Sequence, residues 1–206
     1  MSRHSPEITM PGYKLYEYRM QLLPHTDLAN RIADLRKQFN QQYKILAPAT
    51  GNPNLPLATF SAYRMMEERI IHRLQQIALG FPAFKVELKD FGSFPSHTIY
   101  INIISRIPIQ NLVKTIRSES QRLMFISEEI KPYFILEPHI TIGTRLKPWQ
   151  YEKGWLEYST KHFTGRFIAD AMYLSRRESK DMPWQLIRRF EFCNMPVSIK
   201  QGELFG

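Results

Sequence analysis

"EPHITIG", residues 137–143, decides how this chain is read. It sets His139 two residues before Thr141 in a short apolar run that alternates as a β-strand does. Side chains at i and i+2 of a strand point to one face, so the imidazole and the hydroxyl stand together. An imidazole changes charge near neutral pH and can take or give a proton. A hydroxyl beside it can hold a phosphoryl oxygen. Such chemistry ordinarily needs a second proton-transferring group elsewhere in the chain.

Outward from that strand the elements fall into a regular order. "IQNLVKTIRSESQRLMF" (109–125) precedes it and has helical periodicity. "KPWQYEKGWLEYSTK" (147–161) follows as a second helix, with Pro148 suited to a first turn. "GRFIADAMYLSRRE" and "WQLIRRFEF" close the chain as two strands. The first half has the same sequence of elements. "YKLYEYRMQLL" (13–23) is an alternating, aromatic-rich strand. A helix begins near Asp27, with Thr26 as N-cap and Leu28, Ile32, Leu35 and Phe39 on one stripe. A loop rich in Pro, Gly and Asn (47–56) leads to a short strand, 57–63. A helix over 65–79 presents Met66, Ile70, Leu74 and Ile77, and two strands, 84–92 and 97–105, are joined by a turn. Residues 1–12 are polar with two prolines and are expected to be flexible.

The order repeats numerically. Leu28 and Leu112, like Ile32 and Ile116, lie 84 residues apart. Pro56 and Pro138, like Thr59 and Thr141, lie 82 apart, and Phe84 and Phe167 lie 83 apart. This is the signature of an internal duplication of a strand–helix–strand–helix–strand unit. The copies run from about 13 to 94 and from about 95 to 193, inside one bilobal domain over 13–206. The fold class is α+β, with hairpin-like joins that predict antiparallel pairing. The counterpart of His139 then falls at position 57, which is leucine. The hydroxyl is kept at Thr59 and the imidazole is not.

Composition narrows the partners. The chain has 206 residues, of which 43% are hydrophobic, as in an ordinary globular domain. No apolar run approaches the ~20 residues a membrane helix needs, and the N-terminal residues lack the apolar core of a signal peptide. A single cysteine, Cys193, excludes an intrachain disulfide and leaves no zinc-type cluster. These features predict a soluble protein of a reducing cytoplasm, with no membrane partner, no cofactor and no metal. Lysine and arginine outnumber the acids by 28 to 19, for a net charge of +9. That excess favours anionic partners: RNA, nucleotides or other phosphorylated ligands.

On these residues the chain resembles the two-histidine phosphoesterase superfamily, which includes the RNA 2′,3′-cyclic phosphodiesterases once described as 2′-5′ RNA ligases. "PHITIG", "FKVELKDFGSFPSHTIYINI" and "MYLSRRESKDMPWQLIRRFEF" carry the resemblance, which covers roughly residues 13–193. It implies two pseudo-symmetric lobes of antiparallel sheet flanked by helices around a central cleft, each lobe contributing one His-x-Thr/Ser strand. It also implies metal-free cleavage of a cyclic phosphate or 2′-5′ linkage. One histidine acts as base and the other as acid, while the two hydroxyls hold the phosphoryl oxygens. His139 and Thr141 carry over as the catalytic pair of the second motif. Thr59 carries over as a phosphate contact of the first, and Leu57 departs from the pattern.

Among the other histidines, His97 is the candidate to replace the missing imidazole, at the start of the strand "SHTIYINI". His4, His25, His72 and His162 read as surface or structural residues. Arg64 and Arg145 follow the two motifs and are candidates to neutralise phosphate. Tyr13, Tyr16, Tyr18 and Tyr100 are candidates to stack on a base. Three functions stay open at this level: a hydrolase with His139 as its sole conventional acid/base group, a non-catalytic binder of phosphorylated ligands, and a scaffold for protein contacts.

Overall fold

The alternation expected over 13–23 becomes β1 (Leu15–Leu22), whose Tyr18, Met20 and Leu22 are buried on one face. This computed structural model describes residues 11–45 and 51–195. Most of the N-terminal segment expected to be flexible, and part of the 47–56 loop, lie outside those residues. From β1 the chain runs through α1 (Thr26–Gln42), β2 (Leu55–Tyr63), α2 (Glu67–Gly80), β3 (Phe84–Phe94) and β4 (Thr98–Ile103). It continues through α3 (Arg106–Met124), β5 (Tyr133–Phe134), β6 (His139–Thr144), α4 (Pro148–Tyr158), β7 (Thr164–Ala169), β8 (Ala171–Arg177) and β9 (Gln185–Glu191).

Two antiparallel sheets result. One has the strand order β5-β2-β1-β8-β9 and the other β6-β4-β3-β7. Each buries one face under helices: α1 packs on β6 and β7, α4 on β4, α3 on β2, and α2 on α3 and β9. A continuous apolar core joins the inner faces, with Leu28, Ile32, Phe39, Ile70, Leu74, Ile109, Leu112, Val113 and Ile116 supplied by the helices. The fold is α+β, as the order of elements predicted.

Three details depart from expectation. The residue capping α1 is His25, in extended conformation, and Thr26 is already helical. The segment expected as one long closing strand is two strands, β7 and β8, divided at Asp170 and placed in different sheets. Phe167, Ala169 and Ala171 are all buried, so the alternation runs straight through the break and gives no sign of it. The two-residue β5 is too short to carry a periodic signal.

The sheets are not the two halves of the sequence. β3, from the first half, lies beside β4 in the second sheet, and β8, from the second half, lies beside β1 in the first. The helices are exchanged in the same way, with α1 on β6 and α3 on β2.

Candidate functional site

The two motif strands approach each other although they belong to different sheets: β2 and β6 come within 8 Å, Cα to Cα. β5 ties them. The Ile135 amide donates to the Leu57 carbonyl at 2.9 Å, and the chain enters β6 at His139, only four residues later.

Within β6, His139 pairs with Asn102 and Thr141 with Tyr100 across β4. His139 and Thr141 are half-buried, whereas Ile140 and Ile142 are fully buried. The motif pair therefore occupies the face of the sheet turned away from α1. A bulge follows it. Gly143 pairs with Ile99 and Thr141 with Tyr100, so Ile142 is the extra residue. The bulge returns Gly143 to the core side, where any side chain would run into the Phe39 ring. Thr144 then lies on the site face, its hydroxyl 3.3 Å from that of Thr98.

His139 is held by three contacts. Its Nδ1 lies 2.8 Å from the Glu137 carbonyl oxygen. A carbonyl only accepts, so Nδ1 carries the proton and Nε2 holds the free lone pair of the neutral ring. The ring packs on Tyr100 (centroids 4.9 Å apart) and edge-on to Phe94 (5.0 Å), and those two rings also meet, at 4.7 Å. Gly92 makes room for this cluster. A Cβ there would lie 2.5 Å from Asn102 Oδ1 and 2.6 Å from the Tyr100 ring. Burial raises the Tyr100 phenol above its ordinary pKa; Arg106 opposes the shift and Glu137 adds to it. Tyr100 thus serves as a wall for His139, and Phe94 and Gly92 have supporting roles that the motif alone does not signal.

Behind the strand stands Arg36. Its Nε donates to the Thr141 carbonyl at 2.8 Å, and the residue is 8% exposed on the core stripe of α1. Desolvation lowers its pKa to about 10. The helical spacing pointed to Leu35 for that stripe, but Leu35 is only partly buried and the guanidinium takes the place. The signal available in the sequence was the 84-residue offset, which pairs Arg36 with Ser120, the two buried polar residues of the α1 and α3 stripes.

The first motif is built differently. Met20 pairs with Ala58 and Gln21 with Pro56, so Leu57 is the extra residue of a bulge in β2. Leu57 and Ala58 are both buried, at 0% and 1% exposure, and Leu57 belongs to the core. Thr59 is half-buried on the opposite face, between Arg19 of β1 and Tyr133 of β5. It lines a groove of about 280 Å³ together with Arg19, Ser61, Lys131, Tyr133 and Trp184.

His97 is not brought to His139. It is an exposed residue of the turn before β4, with Nδ1 2.8 Å from the Thr98 hydroxyl. Residue 102 faces His139, so His97 lies five positions away, about 16 Å at ~3.3 Å per residue. Arg64 is committed to Glu67 at 2.8 Å, and Arg145 is exposed just after β6 with φ 54°. Tyr18 is buried and donates to Glu67 at 2.9 Å, and Tyr13 packs against Tyr63. His25 and His72 are exposed, and exposed His162 meets Asp90 at 3.2 Å. His4 lies outside the described residues. A wider groove, about 680 Å³, is lined by residues such as His25, Arg31, Glu87 and Arg166 and by none of the motif residues. Among the described residues no cluster of three or more His, Cys, Asp or Glu could hold a metal, and no helix is long and apolar enough to cross a membrane.

A family model described as the 2′-5′ RNA ligase superfamily matches residues 24–181. No curated protein sequence matches the chain. Among solved structures, E. coli LigT complexed with 3′-AMP is similar at 18% identity, covering 87% of this chain and 98% of that one, with a TM-score of 0.55. TT0787 of Thermus thermophilus is similar at 15% identity, 86% and 98% coverage and a TM-score of 0.64. A further structure described as a phosphoesterase is similar at 16% identity, 86% and 98% coverage and a TM-score of 0.54. At such identities the structural likeness establishes the fold.

Proposed function

The chain belongs to the 2′-5′ RNA ligase superfamily, and from that premise we propose that it is a phosphodiesterase-like hydrolase acting on a 2′,3′-cyclic phosphate or 2′-5′ linkage of RNA or a nucleotide. Membership supports a phosphoesterase-type function. E. coli LigT has been crystallised with 3′-AMP, ATP, NADP+ and phosphate, in keeping with a nucleotide or phosphate ligand here. The observation that carries the proposal is the oriented His139, with Nδ1 bound to the Glu137 carbonyl and Thr141 on the same face.

In the neutral ring, Nε2 accepts a proton from water or a ribose hydroxyl as that oxygen attacks phosphorus. The departing oxygen, on the opposite side of phosphorus, must also gain a proton. Thr141 and Thr59 donate to the phosphoryl oxygens, and no metal enters the scheme. With leucine at 57, one proton transfer is left to solvent. Loss of a general acid or base typically costs about 10²–10⁴ in rate, so turnover is expected to be slow.

The test is hydrolysis of 2′,3′-cyclic nucleotides and 2′-5′-linked dinucleotides by the purified protein and by His139→Ala. Measurable turnover that falls about 100-fold or more in the variant is expected. Absence of turnover in both proteins would remove the hydrolase. Leu57 favours a second reading, a binder of the same ligands that does not cleave them. It predicts binding that persists in His139→Ala, with no product after long incubation.

A further inference from the structure

The face of the five-stranded sheet that carries Thr59 also holds a buried carboxamide, Gln21, at the level of the lost imidazole. Thr59 pairs with Arg19 and Ala58 with Met20, so a regular ladder would set residue 57 opposite Gln21. The bulge sends Leu57 to the core and sets Pro56 opposite Gln21 instead. A proline side chain has no polar atom, so Gln21 is the hydrogen-bonding side chain of this rung. The rung of His139 in the other sheet has a similar make-up, with the carboxamide of Asn102 as the cross-strand partner.

The neighbours of Gln21 place it on the Thr59 face. Met20 and Leu22, on either side of it, belong to the core. Gln21 Nε2 donates to the Ser175 hydroxyl at 3.2 Å, and Ser175 pairs with Arg19. Gln21 is 8% exposed and Ser175 3%. The bond to Ser175 uses one end of the amide. At the other end Oε1 is buried and has no hydrogen-bond partner among the described residues. A buried amide oxygen left unpaired costs its full desolvation, and folded proteins meet such groups with held water.

Hydrolysis has a use for a water held there. His139 serves the attacking oxygen from β6, and the departing oxygen leaves on the opposite side of phosphorus. In that reaction the opposite side is that of the first motif, where Leu57 has no proton to give. β1 lies one strand spacing, ~4.8 Å, beyond β2 on the side away from β5. A water on the Gln21 amide covers that extra distance.

We propose that Gln21 is a positioning residue whose Oε1 holds the water that protonates the departing ribose oxygen. This role rests on the phosphoester reading of the His139 site. The attacking water forms the new P–O bond and gives its proton to His139 Nε2. The P–O bond to the ribose oxygen breaks, and that oxygen takes a proton from the water on Gln21. The hydroxide left behind is neutralised as His139 releases its proton to solvent.

The experiment measures kcat and KM for 2′,3′-cyclic AMP from about pH 5 to pH 9. The proteins are wild type, His139→Ala, Gln21→Met and Gln21→Glu, with urea midpoints taken for each. Methionine keeps the length of the side chain and removes its hydrogen bonds. Glutamate keeps the shape and, when protonated, brings a proton of its own. In Gln21→Met, kcat is expected to fall about tenfold with KM unchanged, because the departing oxygen needs its proton only in the transition state. In Gln21→Glu, kcat is expected to rise about tenfold or more. Its pH profile changes from one ascending limb to a bell, since a carboxyl acts as acid only below its pKa, which burial raises. Wild-type kcat and a single limb in both variants, with turnover still dependent on His139, would overturn the role of Gln21 and leave the hydrolase standing. So would a loss of kcat that only follows a lowered urea midpoint, with no bell in Gln21→Glu. Turnover in Gln21→Glu alone supports the placement of Gln21 and removes the hydrolase reading of the native chain. Absence of turnover in all four proteins removes both.

Discussion

At the scale of single residues, the two motif positions have opposite surroundings. His139 is a ladder-paired residue on the uncovered face, walled by Tyr100 and Phe94. Leu57 is the unpaired residue of a bulge, and it is fully buried. Arg36 supports the strand that carries the histidine by capping the Thr141 carbonyl. Its counterpart in α3, Ser120, bonds within its own helix to the Ile116 carbonyl and gives β2 no such support. Restoring the imidazole by Leu57→His therefore buries a polar ring in apolar surroundings. Stability is expected to fall by about 1–3 kcal/mol, read from urea unfolding, with cyclic phosphodiesterase turnover no higher than wild type. A rise in turnover would show that β2 can re-register and turn residue 57 toward the ligand.

At the scale of elements, the position of β6 depends on how α1 and α4 are joined. Buried Gln150 donates to the Tyr43 carbonyl at 2.9 Å and accepts from the Lys147 amide at 2.8 Å, which fixes the start of α4 against the end of α1. At the other end of α4, the Glu157 carboxylate accepts from Tyr43 at 2.5 Å and Gln42 at 2.6 Å, and meets Lys161 at 2.5 Å. Lys161 first, then Tyr43 and Gln42, hold Glu157 below the ordinary carboxylate pKa. A carboxyl whose folded pKa is depressed adds stability above its unfolded value and loses it as pH falls through the folded value. Glu157→Gln is thus expected to be less stable than wild type at pH 7, with the gap closing by pH 3. Urea midpoints at the two pH values measure this. An equal gap at both would mean that the carboxylate charge contributes nothing.

At the scale of the whole molecule, stability depends on contacts between the halves of the chain, because each sheet takes strands from both. Glu67, at the start of α2, is where they meet in polar form. It is 4% exposed and binds Tyr18 of β1 at 2.9 Å, Arg64 at 2.8 Å and Arg176 of β8 at 2.7 Å. The pair with Arg176 links residues 109 positions apart. Glu67→Ala leaves a largely buried guanidinium and a phenol unpaired. A loss of about 3–5 kcal/mol is expected, with the unfolding midpoint falling for both sheets together. Independent loss of one sheet, seen by hydrogen exchange, would show that the halves are not coupled there.

The amino-acid order by itself determined most of the elements, the α+β class and the likeness in sequence of the two halves, because hydrophobic period and turn residues act over a few positions. It also determined the residue types of the second motif, since His139 and Thr141 lie two apart on one strand. Only the tertiary structure decided what lies across from them. The bulges at Leu57 and Ile142 change which face a side chain takes, and nothing in the local alternation marks them. The exchange of β3 and β8 between sheets, the placement of Arg36 behind Thr141 and the pairing of Arg19 with Thr59 all join residues far apart in the chain. Such contacts are selected by packing and by the pairing of buried polar groups, and both depend on surfaces that exist only once the sheets have formed.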